Sequence, residues 1–308
     1  MAKTTGRTRT HHAAAPTRHD RWVTHPVVQP VLDWFAANER DLPWRSRDPW
    51  GVLVSEVMLQ QTPVARVLPV WHAWLERWSR PADLADAPTD EVIRAWGSLG
   101  YPRRALRLRD CARAIVDRHS GHVPVTDAEL RALPGVGEYT AAAVIAFAHR
   151  RRAVVLDTNV RRVLARALGG AAVPSAHLTT RERMRADAVV PDDDATSARW
   201  NAAVMELGAL VCTARAPRCP TCPIADRCAW LIAGSPSPSP RRGQPWAGTD
   251  RQARGTVMRA LRTATGPVTG RELAAAWPED EQRARALAGL VADGLAVRLD
   301  DDRYGLPR

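Results

Sequence analysis

The sequence predicts a mainly α-helical protein that ends in a small module of helices and one β-hairpin. Three observations predict it. Apolar residues recur at helical spacing through most of the chain, as at Val67, Leu68, Trp71 and Leu75. Leu133-Pro134-Gly135-Val136-Gly137 is a proline- and glycine-bearing turn set between two helical stretches. The one clear alternation of strand period, Leu295-Ala296-Val297-Arg298-Leu299, comes near the end.

Residues 1–25 are polar, basic and rich in Thr, His and Arg, and read as a disordered arm. Val31, Leu32 and Phe35 then share a helical face. Arg40-Asp41-Leu42-Pro43-Trp44-Arg45 breaks that helix. Its two arginines and its tryptophan suit either a pocket for a flat polar ring or a surface loop with one buried Trp. Leu53–Gln61 reads as a helix, with Leu53, Val57 and Gln60/Gln61 at helical intervals. Glu56 stands inside this apolar run. Either it faces solvent from an amphipathic helix, or it is desolvated and its pKa raised, which suits a proton donor. Val64–Trp78, Thr89–Trp96 and Ala105–Arg118 continue as helices, with Cys111 read as a core residue. Between the last two, Gly97-Ser98-Leu99-Gly100-Tyr101 fits a helix C-cap or a tyrosine wedge for a base stack.

Thr126 and Glu129 form a capping-box pattern, so a short helix starts near Asp127 and Pro134 stops it. Gly135 and Gly137 allow positive φ and leave their backbone N–H groups uncovered. Such a hairpin ahead of a helix, here Ala141–Ala148, is either an ordinary turn or a phosphate site. Asp157 follows Val154-Val155-Leu156 and precedes another helix, where an N-cap role alone explains it. Arg161 and Arg162 on that helix are placed to hold phosphates. Glu206 lies among apolar neighbours in the helix Trp200–Val211.

Cys212, Cys219, Cys222 and Cys228 follow the pattern Cys-x₆-Cys-x₂-Cys-x₅-Cys. Four thiolates at this spacing hold a [4Fe–4S] cluster or one zinc ion, and counting does not choose between them. The Ser-Pro repeats of Gly234–Pro240 mark a linker over 234–250. Beyond it, three helices and a hairpin over 251–308, with Thr269 and Glu272 capping the second helix, suggest a winged-helix-like module. The acidic hairpin tip at Asp300–Asp302 argues against DNA contact by that hairpin.

A formal charge of +11 and a pI of about 10.7 favour a polyanionic partner. Lys3 is the single lysine; arginine carries the rest. No apolar run is long enough to span a membrane and no signal peptide is visible, so five cysteines point to metal binding, not disulfides.

In this order, Leu42-Pro43-Trp44-Arg45, Ser55-Glu56-Val57-Met58-Leu59-Gln60-Gln61-Thr62, Gly97–Tyr101, Leu133–Gly137, Leu156-Asp157-Thr158-Asn159-Val160 and the four cysteines make up most of Val27–Cys228. Together they resemble the adenine DNA glycosylases of the MutY family, in the endonuclease III-like, helix-hairpin-helix superfamily. The resemblance implies an all-α fold over 26–233: a six-helix module with the hairpin, a second module carrying a [4Fe–4S] cluster in loop 212–228, and an active site between them. It implies a monofunctional enzyme of base excision repair that acts as a monomer on double-stranded DNA. The base removed is adenine mispaired with 8-oxoguanine or guanine. It further implies a cytoplasmic, nucleoid-associated protein.

By the same resemblance Glu56 protonates adenine N7 and Asp157 stabilises the oxocarbenium-like sugar, with Tyr139 and Asn159 holding these groups. Arg40, Leu42, Trp44, Arg45 and Glu206 match the adenine pocket. Gln61 and Tyr101 match residues that enter the duplex, and Gln60, Gly135, Gly137, Arg161 and Arg162 join them as DNA-binding positions. Tyr139 occupies the site of the lysine that bifunctional members use for strand cleavage, so base release without incision is expected. Pro102 replaces a second tyrosine, which alters the wedge locally. The short tail stands where the family usually has a Nudix-like domain, which weakens the expected preference for 8-oxoguanine over guanine. Two rivals are an endonuclease III-type glycosylase for oxidised pyrimidines and a non-enzymatic iron–sulfur DNA-binding protein.

Overall fold

The computed structural model describes residues 25–46, 48–237 and 247–308. The expected arm therefore lies outside the described residues except for His25, as does the linker at 238–246. The elements are α1 (Val28–Asn38), a 3₁₀ turn (Pro43–Ser46), α2 (Pro49–Leu59), α3 (Val64–Arg77), α4 (Pro81–Ala85) and α5 (Thr89–Trp96). There follow α6 (Arg103–His119), α7 (Asp127–Arg131), α8 (Glu138–Phe147), α9 (Thr158–Ala167), α10 (Thr180–Asp187) and α11 (Asp194–Leu210). The chain ends with α12 (Ala229–Ile232), α13 (Asp250–Thr263), β1 (Val268–Thr269), α14 (Gly270–Ala276), α15 (Asp280–Ala292), β2 (Val297–Arg298) and β3 (Arg303–Gly305).

Two apolar cores flank the site. One gathers α2 to α8 around Leu53, Trp74, Trp96 and Leu130. The other gathers α1, α9, α10 and α11 around Val31, Trp200 and Leu207. α8 packs against α2 on one side and α11 on the other, so it spans the two cores.

α2 decides the environment of Glu56. Asp48 caps its start, accepting from Trp50 N–H at 3.0 Å and Gly51 N–H at 3.2 Å, and Pro49 suits the first helical position. The helix begins earlier than the apolar spacing suggested, and every residue from Trp50 to Met58 is buried. A helix apolar on all sides belongs inside a core, so the amphipathic alternative for Glu56 is excluded. Arg104 of α6 closes the far end, donating to the carbonyls of Val57 (2.8 Å), Met58 (3.2 Å) and Gln60 (2.6 Å). These carbonyls have no partner within α2, and the guanidinium replaces water there.

Thr126 caps α7, accepting from Glu129 N–H at 3.3 Å. In the hairpin Gly135 has φ 78°, and a Cβ there would lie 3.1 Å from the Cβ of Arg107. Gly137 is extended at φ −96°, ψ −179° and caps α8. Of the two glycines that allow positive φ, the first alone adopts it. The second leaves open space beside the first N–H groups of α8, which now starts at Glu138.

The C-terminal strands form an antiparallel sheet in the order β1-β3-β2, with Tyr304 opposite Val268 and Arg298. β1 was missed because two residues carry no readable alternation. This sheet and α13–α15 enclose a third core, to which α5 contributes Ile93. Arg94 of α5 donates to Ala264 O at 2.7 Å, and Arg103 of α6 pairs with Asp293 at 3.1 Å. Among the described residues, no helix is long and apolar enough to cross a membrane.

Candidate active site

A cleft of ≈ 1470 Å³ opens between the two main cores, and α2, α8, α9 and α11 all contribute to its wall. Glu56 and Asp157 both line it. Glu56 is 5% exposed and accepts a 2.8 Å hydrogen bond from the Tyr139 hydroxyl. Burial pushes its pKa up to about 7; the Tyr139 bond opposes this and the nearby charge of Asp157 adds to it. Burial and the two carboxylates hold the Tyr139 hydroxyl well above its ordinary range, so it remains a donor.

Asp157 is both a helix cap and a cleft residue. Its Oδ1 accepts from Val160 N–H at 2.6 Å, as an N-cap does. Its Oδ2 accepts from the Asn159 amide at 2.8 Å. Burial raises its pKa, while these donors and the charge of Arg162 pull the other way. Arg162 donates to the Asn159 carbonyl oxygen at 2.8 Å, so the amide nitrogen must face Asp157. The same guanidinium donates to Cys212 O and Gly208 O, both at 2.7 Å. Gly208 is a residue that sequence reasoning missed. A Cβ there would lie 2.7 Å from the Cβ of Asn159, so only glycine lets α11 approach α9 this closely.

At the other end of the cleft Glu206 is 2% exposed and paired with two arginines. Arg40 donates to it from Nε (2.7 Å), Nη2 (2.8 Å) and its backbone N–H (3.0 Å), and Arg45 donates at 3.1 Å. Burial alone would raise the Glu206 pKa, but the Arg40 hydrogen bonds and both positive charges hold it below the usual range. Trp44 and Leu42 face the same cleft. Trp44 is buried edge-on to Trp71 with ring centroids 5.6 Å apart.

Gln60, Gln61, Gly135 and Gly137 line the cleft, with Gln60 donating to Thr140 Oγ1 at 3.3 Å and Gln61 at φ 57°. Tyr101 stands outside it, 46% exposed and at φ 48°. The two arginines expected to hold phosphates both make contacts within the protein. Arg161 donates to Glu182 at 3.0 Å and to the carbonyls of Ser175 and His177. Arg162 is committed to Asn159 and two carbonyls. Nη2 of Arg161 is engaged with protein groups, whereas its Nε is buried without a partner among the described residues and the residue lines the cleft; α9 packs against α10, α11 and α12.

The four cysteines are unpaired by disulfides. Cys212 and Cys222 pack on the core of α1, α9 and α11, and Cys219 and Cys228 pack with Ala172 and Trp230. Burial pushes Cys222 up to about 11 and raises Cys219 too, and negative charge on the other cysteines adds to both. Among the described residues no three His, Cys, Asp or Glu side chains are gathered tightly enough for one metal ion. Arg166, 4% exposed and unremarked in the sequence, ties the loop down by donating to Thr213 O (2.8 Å), Ala214 O (3.1 Å) and Cys212 Sγ (3.4 Å).

Comparison with known proteins agrees with this geometry. A family model described as the HhH-GPD superfamily of base excision DNA repair proteins matches residues 54–186. A second, the iron–sulfur binding domain of endonuclease III, matches residues 212–228, the span that holds the four cysteines, and the cofactor of this chain is a [4Fe–4S] cluster. An adenine DNA glycosylase of Mycobacterium tuberculosis is 51% identical over 282 residues, covering 90% of this chain and 92% of that protein. A thermostable thymine-DNA glycosylase superposes with TM-score 0.60 at 27% identity, over 67% of this chain and 95% of that one. Endonuclease III in a non-covalent complex with DNA superposes with TM-score 0.58 at 25% identity, over 67% and 94%. A relative so similar over nearly its whole length, together with the cleft and the cysteine loop, places the chain in the adenine DNA glycosylase family of the HhH-GPD superfamily.

Proposed function

We propose that this protein is a monofunctional glycosylase that excises adenine mispaired with 8-oxoguanine or guanine from double-stranded DNA. The observation that carries this reading is Glu56, a buried carboxyl with a pKa near 7, in one cleft with Asp157. The target nucleotide leaves the stack and enters the cleft. Glu56 gives its proton to adenine N7, the bond from N9 to the sugar C1′ breaks, and the base departs neutral. Asp157, oriented by Asn159 and the α9 N–H groups, faces the positive charge that develops at C1′. Water then adds at C1′ and its proton returns to a carboxylate. Tyr139 holds Glu56 from the side, and Glu206 with Arg40 and Arg45 supplies fixed polar edges for the base.

Cys212, Cys219, Cys222 and Cys228 would hold the [4Fe–4S] cluster, whose iron–thiolate bonds would close loop 212–228. The glycine hairpin offers N–H groups at the start of α8 to a phosphate. The segment 251–308 is read as a winged-helix-like module joined to a glycosylase domain over 26–233. The same reading places the protein on nucleoid DNA in the cytoplasm as a monomer. The test is an assay of duplexes carrying A:8-oxoguanine, A:G or thymine glycol. Release of free adenine from the first two, without strand incision at neutral pH, is expected. Release of thymine glycol instead would overturn the reading.

A further inference from the structure

Tyr101 is held from an unexpected direction. Its hydroxyl accepts a 2.9 Å hydrogen bond from Nη2 of Arg251, the second residue of α13, and that guanidinium lies 5.5 Å from the centre of the tyrosine ring. Arg104 lies over the same ring, also at 5.5 Å. Arg104 in turn caps α2, the helix of Glu56, and donates to Gly100 O at 3.0 Å. Tyr101 has a left-handed backbone conformation, which a bulky residue keeps only where its surroundings impose it. Its own neighbours in sequence, Gly100 (φ 85°) and Pro102, leave its ring without a packed bed, and nearly half of it is exposed.

The rest of the C-terminal module is fixed on the same side. Ile93 enters its core, Arg94 binds its backbone, and Asp293 pairs with Arg103, two residues beyond Tyr101. Arg254, one turn along α13 from Arg251, pairs with Asp293 as well. The base of the tyrosine and the arginine that holds it are thus parts of one docked interface.

We propose that Arg251 is a positioning residue for Tyr101, so that the C-terminal module takes part in mispair recognition by presetting the residue that enters the duplex. This inference rests on the reading of Tyr101 as that residue. A hydrogen bond from a cation to a tyrosine hydroxyl, together with stacking, restricts the ring before DNA arrives and lowers the ordering cost of binding.

The test is a double-mutant cycle on the full chain, read as the Kd for an A:8-oxoguanine duplex whose adenosine is a non-hydrolysable analogue. Arg251→Ala is expected to weaken binding about five- to tenfold, the effect of one hydrogen bond at a half-exposed site, and Arg251→Lys to recover part of it. In a Tyr101→Ala background Arg251→Ala is expected to add less than about twofold, with the salt dependence unchanged. Equal losses in both backgrounds, with a salt slope reduced by about one, would make Arg251 a simple phosphate ligand and overturn the proposal. So would an Arg251→Ala protein that binds normally while Tyr101→Ala binds weakly. If Tyr101→Ala itself binds like the parent, the assignment of Tyr101 fails and the proposal falls with it.

Discussion

The hydroxyl of Tyr139 donates a 2.8 Å hydrogen bond to Oε2 of Glu56, joining the first turn of α8 to the middle of α2. The tyrosine remains a donor and orients a carboxyl whose pKa burial raises to about 7.

The raised pKa of Glu56 is also a statement about stability. Its ordinary value of 4.5 applies in the unfolded chain, against about 7 when folded. Below pH 4.5 both states bind the proton; between 4.5 and 7 the unfolded state alone releases it, so stability falls across that window and then levels off. The full shift corresponds to about 3 kcal/mol. Glu56→Gln is therefore expected to raise the melting temperature at pH 8 and to leave it nearly unchanged at pH 4.5. Adenine release by the parent protein, measured in single turnover, should decline as pH rises through 7.

Asp157 combines capping and chemistry, and two substitutions separate them. Asparagine keeps an oxygen for Val160 N–H, so Asp157→Asn should retain the fold while lowering adenine release by at least ~10²-fold. Asp157→Ala loses the cap as well and should unfold at about 1 kcal/mol lower stability than Asp157→Asn, measured by urea denaturation.

Glu206 stays ionised because Arg40 and Arg45 surround it. Arg40→Ala leaves a buried carboxylate with one partner and should cost about 2–3 kcal/mol. The loss should shrink as pH falls, because a Glu206 freed from its depressing partner protonates at higher pH. Denaturant titrations at pH 5 and pH 8 measure this.

Cys219→Ser should remove iron and the brown colour, and free the loop that Arg166 anchors. Melting temperature should fall together with iron content. A variant that loses iron and melts like the parent would show that the cluster does not brace α9.

Much of this was legible because it is local. The Asp157 cap, the Thr269–Glu272 capping box and the cysteine spacing depend on neighbours a few residues apart. Glu56 was harder: its apolar run fits a helix with one wet face, and only the packing of α3, α6 and α8 around α2 shows that no such face exists. Arg161 and Arg162 looked free because their partners, Glu182 and the Gly208–Cys212 backbone, come from later in the chain. For the same reason Gly208 and Arg166 carried no signal at all. The two-residue strand β1 exists only through its pairing with β3.

The central claim is that Glu56 and Asp157 act on the same extruded adenine. Its most direct measurement is single-turnover adenine release from an A:8-oxoguanine duplex by the parent, Glu56→Gln and Asp157→Asn proteins, with the duplex Kd of each recorded in parallel. Both variants are predicted to lose at least ~10²-fold in rate while binding the duplex as tightly as the parent. Release at the parental rate by either variant would contradict the account.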